Sequence, residues 1–241
     1  MSLLLLSMKM PVRVNPRILA FDTSTARSSV ALLEGKDLRA EIRLHSLQTH
    51  STHLLSSIDF LLGRLGWTLR DLDLIAVGNG PGSFTGIRIG IATALGFARS
   101  LSVPFAEISG LDALAHQVSH LDGRIGVLLD AHRSQAFYAE YIAKQGRIRA
   151  DQKSRLIDIS ALEHHLRDRH LYLVGDTGVC RLEKSRAASP HWPRPVFSDL
   201  FLAAEIGRLA LANKRKWRAG DSILSEPTYI RPPDALKKKK L

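Results

Sequence analysis

The sequence contains the same order of strand-type and helix-type segments twice. In the first half, three short strand-type runs precede a helix, a strand, a second helix, a strand and a third helix. These segments are predicted over Arg17–Asp22, Ser28–Leu33, Leu38–Leu44, Ser51–Leu65, Leu72–Val77, 85–99, Val103–Ile108 and 109–120. From Gly123 the order starts again in shortened form, over Arg124–Asp130, Ala136–Ala143, 147–159, Ala161–Arg169, Leu171–Val174 and Asp199–Trp217. The repetition predicts an α/β protein with two lobes, each a mixed sheet covered by helices.

The two predicted lobes are flanked by segments of different composition. The first lobe is expected over residues 17–121 and the second, shorter lobe over 122–217. Residues 1–16 have no strand or helix pattern and are predicted to be an N-terminal extension, in which Met8 and Met10 are alternative starts. Residues 218–241 contain three prolines and end with four consecutive lysines before Leu241, which predicts a basic C-terminal tail.

Positive charge is concentrated in the second part of the chain. The formal net charge is +11; residues 1–142 carry 13 basic and 12 acidic side chains, whereas residues 143–241 carry 21 and 11. This excess favours RNA or an acidic partner, and a solvated basic surface is the alternative. No apolar run reaches the roughly 18 residues of a membrane helix, so no membrane partner is expected. The single cysteine, Cys180, excludes an internal disulfide, and a cytoplasmic location is expected.

Two segments could together form a phosphate site. Asp22–Thr25 places one acid and three hydroxyls at the end of the first strand, and Gly80–Gly86 is a glycine-rich loop that leads into a helix. The loop lacks the Gly-Lys-Ser/Thr ending of a nucleotide-binding loop. The alternative is structural, since such residues also cap turns and permit close crossovers. The residues proposed for a vestigial phosphate site are Asp22, Thr23, Ser24, Gly82 and Ser83.

The helix after this loop carries small residues at every fourth position. Gly86, Gly90, Ala94 and Ala98 share one helix face, although each helical glycine costs about 1 kcal/mol relative to alanine. A row of small side chains permits close approach of a second backbone. That backbone belongs either to the sheet of the same lobe or to a partner helix.

The histidines and the cysteine provide little support for chemistry. His116 and His120 have the spacing of a helical metal pair, without the glutamate of a zinc protease, and His45, His50 and His53 form a looser group. Ten histidines make chance pairs common, so no metal site is predicted. No nucleophile motif surrounds a serine, and Cys180 is expected to be inert.

Read together, four segments resemble the TsaB (YeaZ) family, the accessory subunit of bacterial tRNA threonylcarbamoyladenosine synthesis. The most specific is Gly80–Gly90; the others are Ile18–Thr25, Leu128–Arg133 and Pro227–Arg231, in matching order over about 17–235. The resemblance implies the actin/Hsp70/sugar-kinase-like fold, with two ribonuclease-H-like lobes. The N-terminal segment and the lysine tail depart from the family pattern.

The resemblance also implies a subunit that is not catalytic alone. In the paralogue TsaD, two histidines hold a metal, and the corresponding positions here are Gly110 and Leu114, which cannot ligate one. No cofactor is therefore expected on this chain, ATP and metal being expected on TsaE and TsaD. The name glycoprotease, once attached to this superfamily, finds no nucleophile here.

The partners implied by the resemblance are a TsaD-like paralogue, a TsaE-like ATPase and tRNA bound through the complex, with a homodimer when the chain is alone. The interface is expected on the first-lobe helices, at His53, Leu54, Ile58, Leu61, Gly86, Gly90, Ala94 and Ala98. Two other hypotheses stay open: a self-sufficient ATP-dependent kinase or hydrolase of the same fold, and a tRNA-binding module in its own right.

Overall fold

The computed structural model describes residues 13–45, 51–167, 169–180 and 193–219, and its chain divides into two compact units. The first unit combines the chain up to Ser109 with the segment that starts at Phe201, and the second contains Gly110–Leu200. Most of the predicted extension and tail, including the Pro227–Arg231 motif and the four terminal lysines, lies outside the described residues.

Eleven strands and five α-helices are described in these ranges. The strands are β1 (Arg17–Asp22), β2 (Arg27–Glu34), β3 (Asp37–His45), β4 (Leu74–Gly78), β5 (Phe105–Ile108), β6 (Gly123–Asp130), β7 (Gln135–Lys144), β8 (Arg147–Asp158), β9 (Tyr172–Gly175), β10 (Arg194–Pro195) and β11 (Trp217–Arg218). The helices are α1 (Ser51–Leu65), α2 (Phe84–Leu101), α3 (Gly110–Gln117), α4 (Ile159–Leu166) and α5 (Ala203–Ala212). Among the described residues, no helix combines the length and apolarity that crossing a bilayer requires.

The first unit is built on a six-stranded sheet in the order β11-β5-β4-β1-β2-β3. Strand β1 pairs antiparallel with β2 and parallel with β4, and four of its residues have no exposed surface, Ile18 to Phe21. Such a strand must be covered on both faces. Helices α1 and α2 pack on one face of this sheet and form a hydrophobic core with it. Helix α5 packs on β1, β2 and β4 from the other face.

The second unit repeats this pattern in a five-stranded sheet ordered β10-β9-β6-β7-β8. Strand β6 pairs antiparallel with β7 and parallel with β9, and the predicted strand over 147–159 forms β8 at the edge. Two mixed sheets with the same strand arrangement confirm the predicted α/β fold of the actin/Hsp70/sugar-kinase-like class.

The C-terminal helix is shorter than predicted and belongs to a different unit. The sequence pattern placed a helix over 199–217 in the second lobe, but α5 covers ten residues and packs in the first unit. Gly207 permits this close packing of α5 on the first sheet, because a Cβ there would lie 2.6 Å from Leu33 Cδ1 and 3.2 Å from Ala20 Cβ. Helix α3, which the prediction placed before the boundary at 121, belongs to the second unit. Helical periodicity identifies an apolar face without saying which sheet covers it.

The hairpin between β6 and β7 has an unusual backbone. His132, Arg133 and Ser134 are not glycines, yet they adopt φ values of 58°, 55° and 58°. The turn is closed by Gln135 N–H, which donates to His132 O at 3.1 Å. Left-handed backbone costs an L-residue roughly 1–2 kcal/mol, so this hairpin is strained.

We expect Ser134→Gly to stabilise the protein by about 1 kcal/mol, because glycine adopts positive φ freely and this gain exceeds its larger unfolded-state entropy. Urea unfolding followed by circular dichroism measures the effect. Ser134→Ala is the control, since alanine keeps the strain and should bring no gain. A glycine variant that unfolds at lower urea than the wild type would contradict this account.

Candidate functional site

The end of β1 and the glycine-rich loop after β4 meet at one edge of the first sheet. The two strands are parallel and adjacent, so their carboxyl ends lie side by side. Three glycines have no room for a side chain there: a Cβ on Gly78, Gly82 or Gly86 would overlap Asp22 Oδ1, Ser24 O or Thr23 O, respectively. The glycines therefore allow the loop backbone to lie directly on the backbone that follows β1.

Hydrogen bonds join these two segments. Ser83 N–H donates to Ser24 O at 2.6 Å, and Thr23 Oγ1 donates to Gly86 O at 2.7 Å. Ser83 also caps α2, because its Oγ accepts from Gly86 N–H at 3.2 Å. Asp22 Oδ1 accepts from Ser24 N–H at 3.0 Å.

The structure thus brings together all five residues of the predicted phosphate site. Asp22, Thr23 and Ser24 are each at most 2% exposed, and the groups just described bond within the chain. The glycines are accounted for by the structural alternative, a close crossover of loop and strand. Phosphate binding at this edge stays a prediction.

A small cleft opens beside this edge, between the first sheet and α1. Its volume is about 240 Å³, counting the part open to solvent, and its polar lining includes Asp22, Ser28, Ser29, His53 and Ser57. His53, predicted at the partner interface, lines this cleft.

The small-residue face of α2 points into the first unit. A Cβ on Gly90 would lie 2.6 Å from Thr23 Oγ1 and 3.3 Å from Val77 Cγ2, and Ala94 and Ala98 have no exposed surface. The assignment of Gly86, Gly90, Ala94 and Ala98 to a partner interface is therefore corrected, because this face packs on its own sheet. The spacing identified a close approach, but the approaching backbone belongs to the same lobe.

The predicted apolar contacts of α1 are corrected for the same reason. Leu54, Ile58 and Leu61 are 4%, 2% and 3% exposed and belong to the core beneath the helix. The outward face of α1 instead carries Leu55 and Phe60, which are 57% and 59% exposed. Sequence reasoning singled out neither, although a helical projection places Phe60 away from the buried stripe and Leu55 at its edge.

The outward faces of α1 and α2 also carry glycines that no contact within the chain requires. A Cβ on Gly63 or on Gly96 would meet nothing within 4 Å. Ala92, one turn before Gly96, is also exposed. Small residues therefore occupy part of the outward face of each helix.

The two positions that the resemblance places at the metal-binding histidines of TsaD cannot bind a metal here. Gly110 is buried, and Leu114 is fully buried on α3. His120 lies beyond the end of α3 at Gln117, so it does not form a helical pair with His116. Within the described ranges, no group of three or more His, Cys, Asp or Glu side chains could hold a metal ion. Burial raises the pKa of Cys180 to about 11, which keeps the thiol protonated at neutral pH.

The second unit contains a polar centre that the sequence analysis did not find. The side chain of Glu140 on β7 is 1% exposed and contacts four groups. Arg169 Nη1 donates to both carboxylate oxygens at 2.8 and 3.1 Å, His165 Nε2 lies 2.7 Å from Oε1, and the Tyr138 hydroxyl donates to Oε1 at 3.2 Å. Arg124 Nη1 reaches Oε2 at 3.5 Å.

This environment keeps Glu140 ionised. Burial raises the pKa of Glu140, but the bond to His165 and the charge of Arg169 lower it by more, so the pKa lies below its usual range. For Tyr138, burial and the neighbouring carboxylate raise the pKa well above its ordinary value, and its hydroxyl remains a donor. A glutamate between an alanine and a tyrosine in a buried strand was the only signal in the sequence.

Comparison with known proteins gives consistent matches. The family model described as TsaD, tRNA N6-adenosine threonylcarbamoyltransferase, matches residues 45–169. The tRNA threonylcarbamoyladenosine biosynthesis protein TsaB of Bacillus subtilis is 36% identical over 144 residues, which cover 58% of this chain and 63% of the relative. The protein of the same name from Buchnera aphidicola (strain Sg) is 32% identical over 164 residues, which cover 66% of this chain and 78% of the relative.

A solved structure extends the similarity to most of the chain. A protein from Pseudomonas aeruginosa, described as similar to the peptidase YEAZ, superimposes with a TM-score of 0.67 at 26% identity. The match covers 90% of this chain and 100% of that one. The alignments to the first three curated relatives span only 54–63% of the length of those proteins.

Two glycines of α2 provide a matched test of the inward packing. We expect Gly90→Ala to destabilise the protein by about 1–3 kcal/mol, because the new methyl group would press on Thr23 and Val77. Gly96→Ala meets open space and should stabilise it by about 0.5–1 kcal/mol. Thermal melts of both variants measure the difference. Equal melting temperatures would show that the face around Gly90 is not packed.

The Glu140 centre predicts a pH-dependent contribution to stability. Its pKa is lowered in the folded state, so its contribution is present above the ordinary value of 4.5 and is lost as pH falls through the folded pKa. We expect Glu140→Gln to cost about 2 kcal/mol at pH 7, the scale of hydrogen bonds to charged groups, and less at pH 3. Urea unfolding at both pH values measures this. A cost of the same size at pH 3 would indicate a packing effect rather than the loss of a charge.

Proposed function

Because the chain belongs to the family of tRNA N6-adenosine threonylcarbamoyltransferase (TsaD) and, within it, to the TsaB (YeaZ) branch, we propose that it is a non-catalytic subunit of tRNA threonylcarbamoyladenosine synthesis. In this role it binds a TsaD-like paralogue and supports transfer of the threonylcarbamoyl group to the adenosine beside the anticodon. A TsaE-like ATPase completes the complex.

This proposal rests on how the chain packs at the two places where a nucleotide or a metal would be expected. The loop after β4 lies against the backbone after β1, and Leu114 fills an apolar position of α3. Both places contribute to the stability of the chain rather than presenting reactive groups. ATP and the metal ion are accordingly assigned to the partner proteins, and this chain needs no cofactor.

The partner surface is proposed on the outward faces of α1 and α2. Leu55 and Phe60 expose large apolar side chains, and Gly63 and Gly96 leave space for a close approach. Exposed apolar groups of this kind mark interaction sites more often than isolated surface residues do. The same surface would join two copies of this chain when the paralogue is absent.

Reconstitution with purified proteins tests the function. The chain is mixed with its TsaD-like and TsaE-like partners, tRNA, ATP and threonylcarbamoyl-adenylate. We expect modified tRNA only when this chain is present, and neither ATP hydrolysis nor transfer by the chain alone. Metal-dependent ATP turnover by the pure chain, abolished by Asp22→Ala, would favour a kinase or hydrolase instead.

The partner surface makes a separate prediction. We expect Leu55→Ser with Phe60→Ser to weaken binding to the TsaD-like partner at least tenfold, because two buried apolar contacts are each worth roughly 1–2 kcal/mol. Calorimetry measures the affinity, and sedimentation measures self-association. Phe197→Ser is the matched control, since Phe197 is 92% exposed in the second unit. Unchanged affinity of the double variant would place the interface elsewhere.

A further inference from the structure

Among the described residues, one face of the second sheet is only half covered by a helix. Side chains alternate between the two faces of a sheet, and Leu128 and Tyr138 contact Leu162 and Leu166 of α4. On the opposite face, the Tyr141 hydroxyl donates to Asp112 of α3 at 2.9 Å. Helix α4 has only eight residues, so it covers one end of its face.

The other end of the α4 face carries basic side chains. Register pairs Arg124 with Ile142, Ile142 with Arg149, and Lys144 with Arg147, so these side chains share the face of Tyr138 and Glu140. Arg155 pairs with Tyr138, and its guanidinium lies 5.9 Å from the Tyr138 ring centroid. With Arg169, which follows α4, the basic residues number six: Arg124, Lys144, Arg147, Arg149, Arg155 and Arg169.

Glu140 orders one side of this group. Its buried carboxylate holds Arg169 and Arg124, and His165 Nε2 lies 3.3 Å from Arg155 Nη2. A second acid, Asp151, also lies among the six, with its Oδ2 at 3.1 Å from Arg124 Nη1. The six basic groups outnumber these two carboxylates, and the carboxylate of Glu140 is hidden from solvent. Five of the six are exposed, all except Arg169.

We propose that this half-face, the basic face of β6–β8, contacts the phosphate backbone of RNA. The row from Arg147 to Arg155 faces residues 138–144 of β7, which extend over roughly 20 Å at the usual rise of a strand, long enough to reach several phosphates. Arginine is well suited to phosphate because its planar guanidinium donates two parallel hydrogen bonds. The choice of tRNA as the RNA rests on the proposed function. The contacts give affinity and orientation without reading the base sequence.

Basic side chains on an edge strand have another use, since they prevent pairing with a second sheet. That use needs charge along β8 only. It does not explain Arg124 and Arg169, which lie on β6 and after α4 and are held by a buried carboxylate. If the charges only protect the edge strand, their removal should leave RNA binding unchanged, whereas phosphate contact requires them.

Removal of three charges at the hairpin end of this face provides the test. Lys144→Gln, Arg147→Gln and Arg149→Gln are combined in the full-length chain, leaving the contacts of Glu140 intact. Binding to fluorescent unmodified tRNA is measured by anisotropy over a range of salt concentrations. Each lost phosphate contact lowers the slope of log K against log salt by about 1, so the loss of these three contacts should make the slope smaller by about 2–3 and the affinity at least fivefold weaker.

The matched control removes the same charge from the first unit. Lys36→Gln, Arg39→Gln and Arg70→Gln change exposed residues there, and we expect the wild-type slope. Equal slopes for the two triple variants, or no salt-dependent tRNA binding by the wild-type chain, would overturn the proposal. So would a test variant that binds tRNA normally but loses the TsaD-like protein, since the face would then serve an acidic protein.

The two proposals can fail separately. Reconstituted tRNA modification by the wild-type chain tests the function, while tRNA binding by the chain alone tests the basic face. If modification proceeds and both triple variants bind tRNA alike, the function stands and the basic face is overturned. If no modification depends on the chain but the test variant loses tRNA, the basic face stands and the function fails.

Discussion

The contact between the backbone after β1 and the glycine-rich loop after β4 holds the first unit together. It joins two parallel strands at their carboxyl ends, sets the start of α2, and fixes the face with which that helix lies on the sheet. Three glycines are required because a single methyl group at any of them would overlap backbone or carboxylate oxygen. The contact also uses the groups that an open anion site would need, so stability and phosphate binding compete for the same atoms.

This competition explains why the sequence described the site only in part. The five residues Asp22–Ser24, Gly82 and Ser83 were predicted to meet, and they do, because parallel neighbours end at one edge. Whether they face a ligand or one another depends on how closely the two backbones approach. Composition and spacing contain no such information. The same limit applies to Gly90, where periodicity identified a close approach without identifying its partner.

Element order was more predictable than domain membership. Strand β1 and helix α1 were predicted with the observed bounds, because alternation and helical spacing are local properties. Helix α5 was assigned to the wrong sheet, since its partners β1 and β2 lie far earlier in the chain; the bond from Ala203 N–H to Ser29 Oγ of β2 spans 174 residues. The Glu140 centre was missed for a related reason: apart from Tyr138, its partners come from β6, from α4 and from the segment after α4, and these lie 16 to 29 residues from Glu140 in sequence.

The two units share one structural feature at equivalent strands, in which a glycine lets the end of one strand lie directly on its neighbour. In the second unit, Gly175 at the end of β9 has φ of 105°, and a Cβ there would overlap Leu128 O on β6. Asp176 N–H donates to the same carbonyl at 3.0 Å, and Asp176 Oδ2 accepts from Asp130 N–H at 3.2 Å. In both sheets, therefore, a glycine and a hydrogen-bonded aspartate hold the carboxyl ends of two central strands together. Within the described ranges, the surfaces that we propose for partners lie elsewhere, on the outward faces of α1 and α2 in the first unit and on the basic face of β6–β8 in the second. The first is apolar and suits a protein, whereas the second is basic and suits a polyanion.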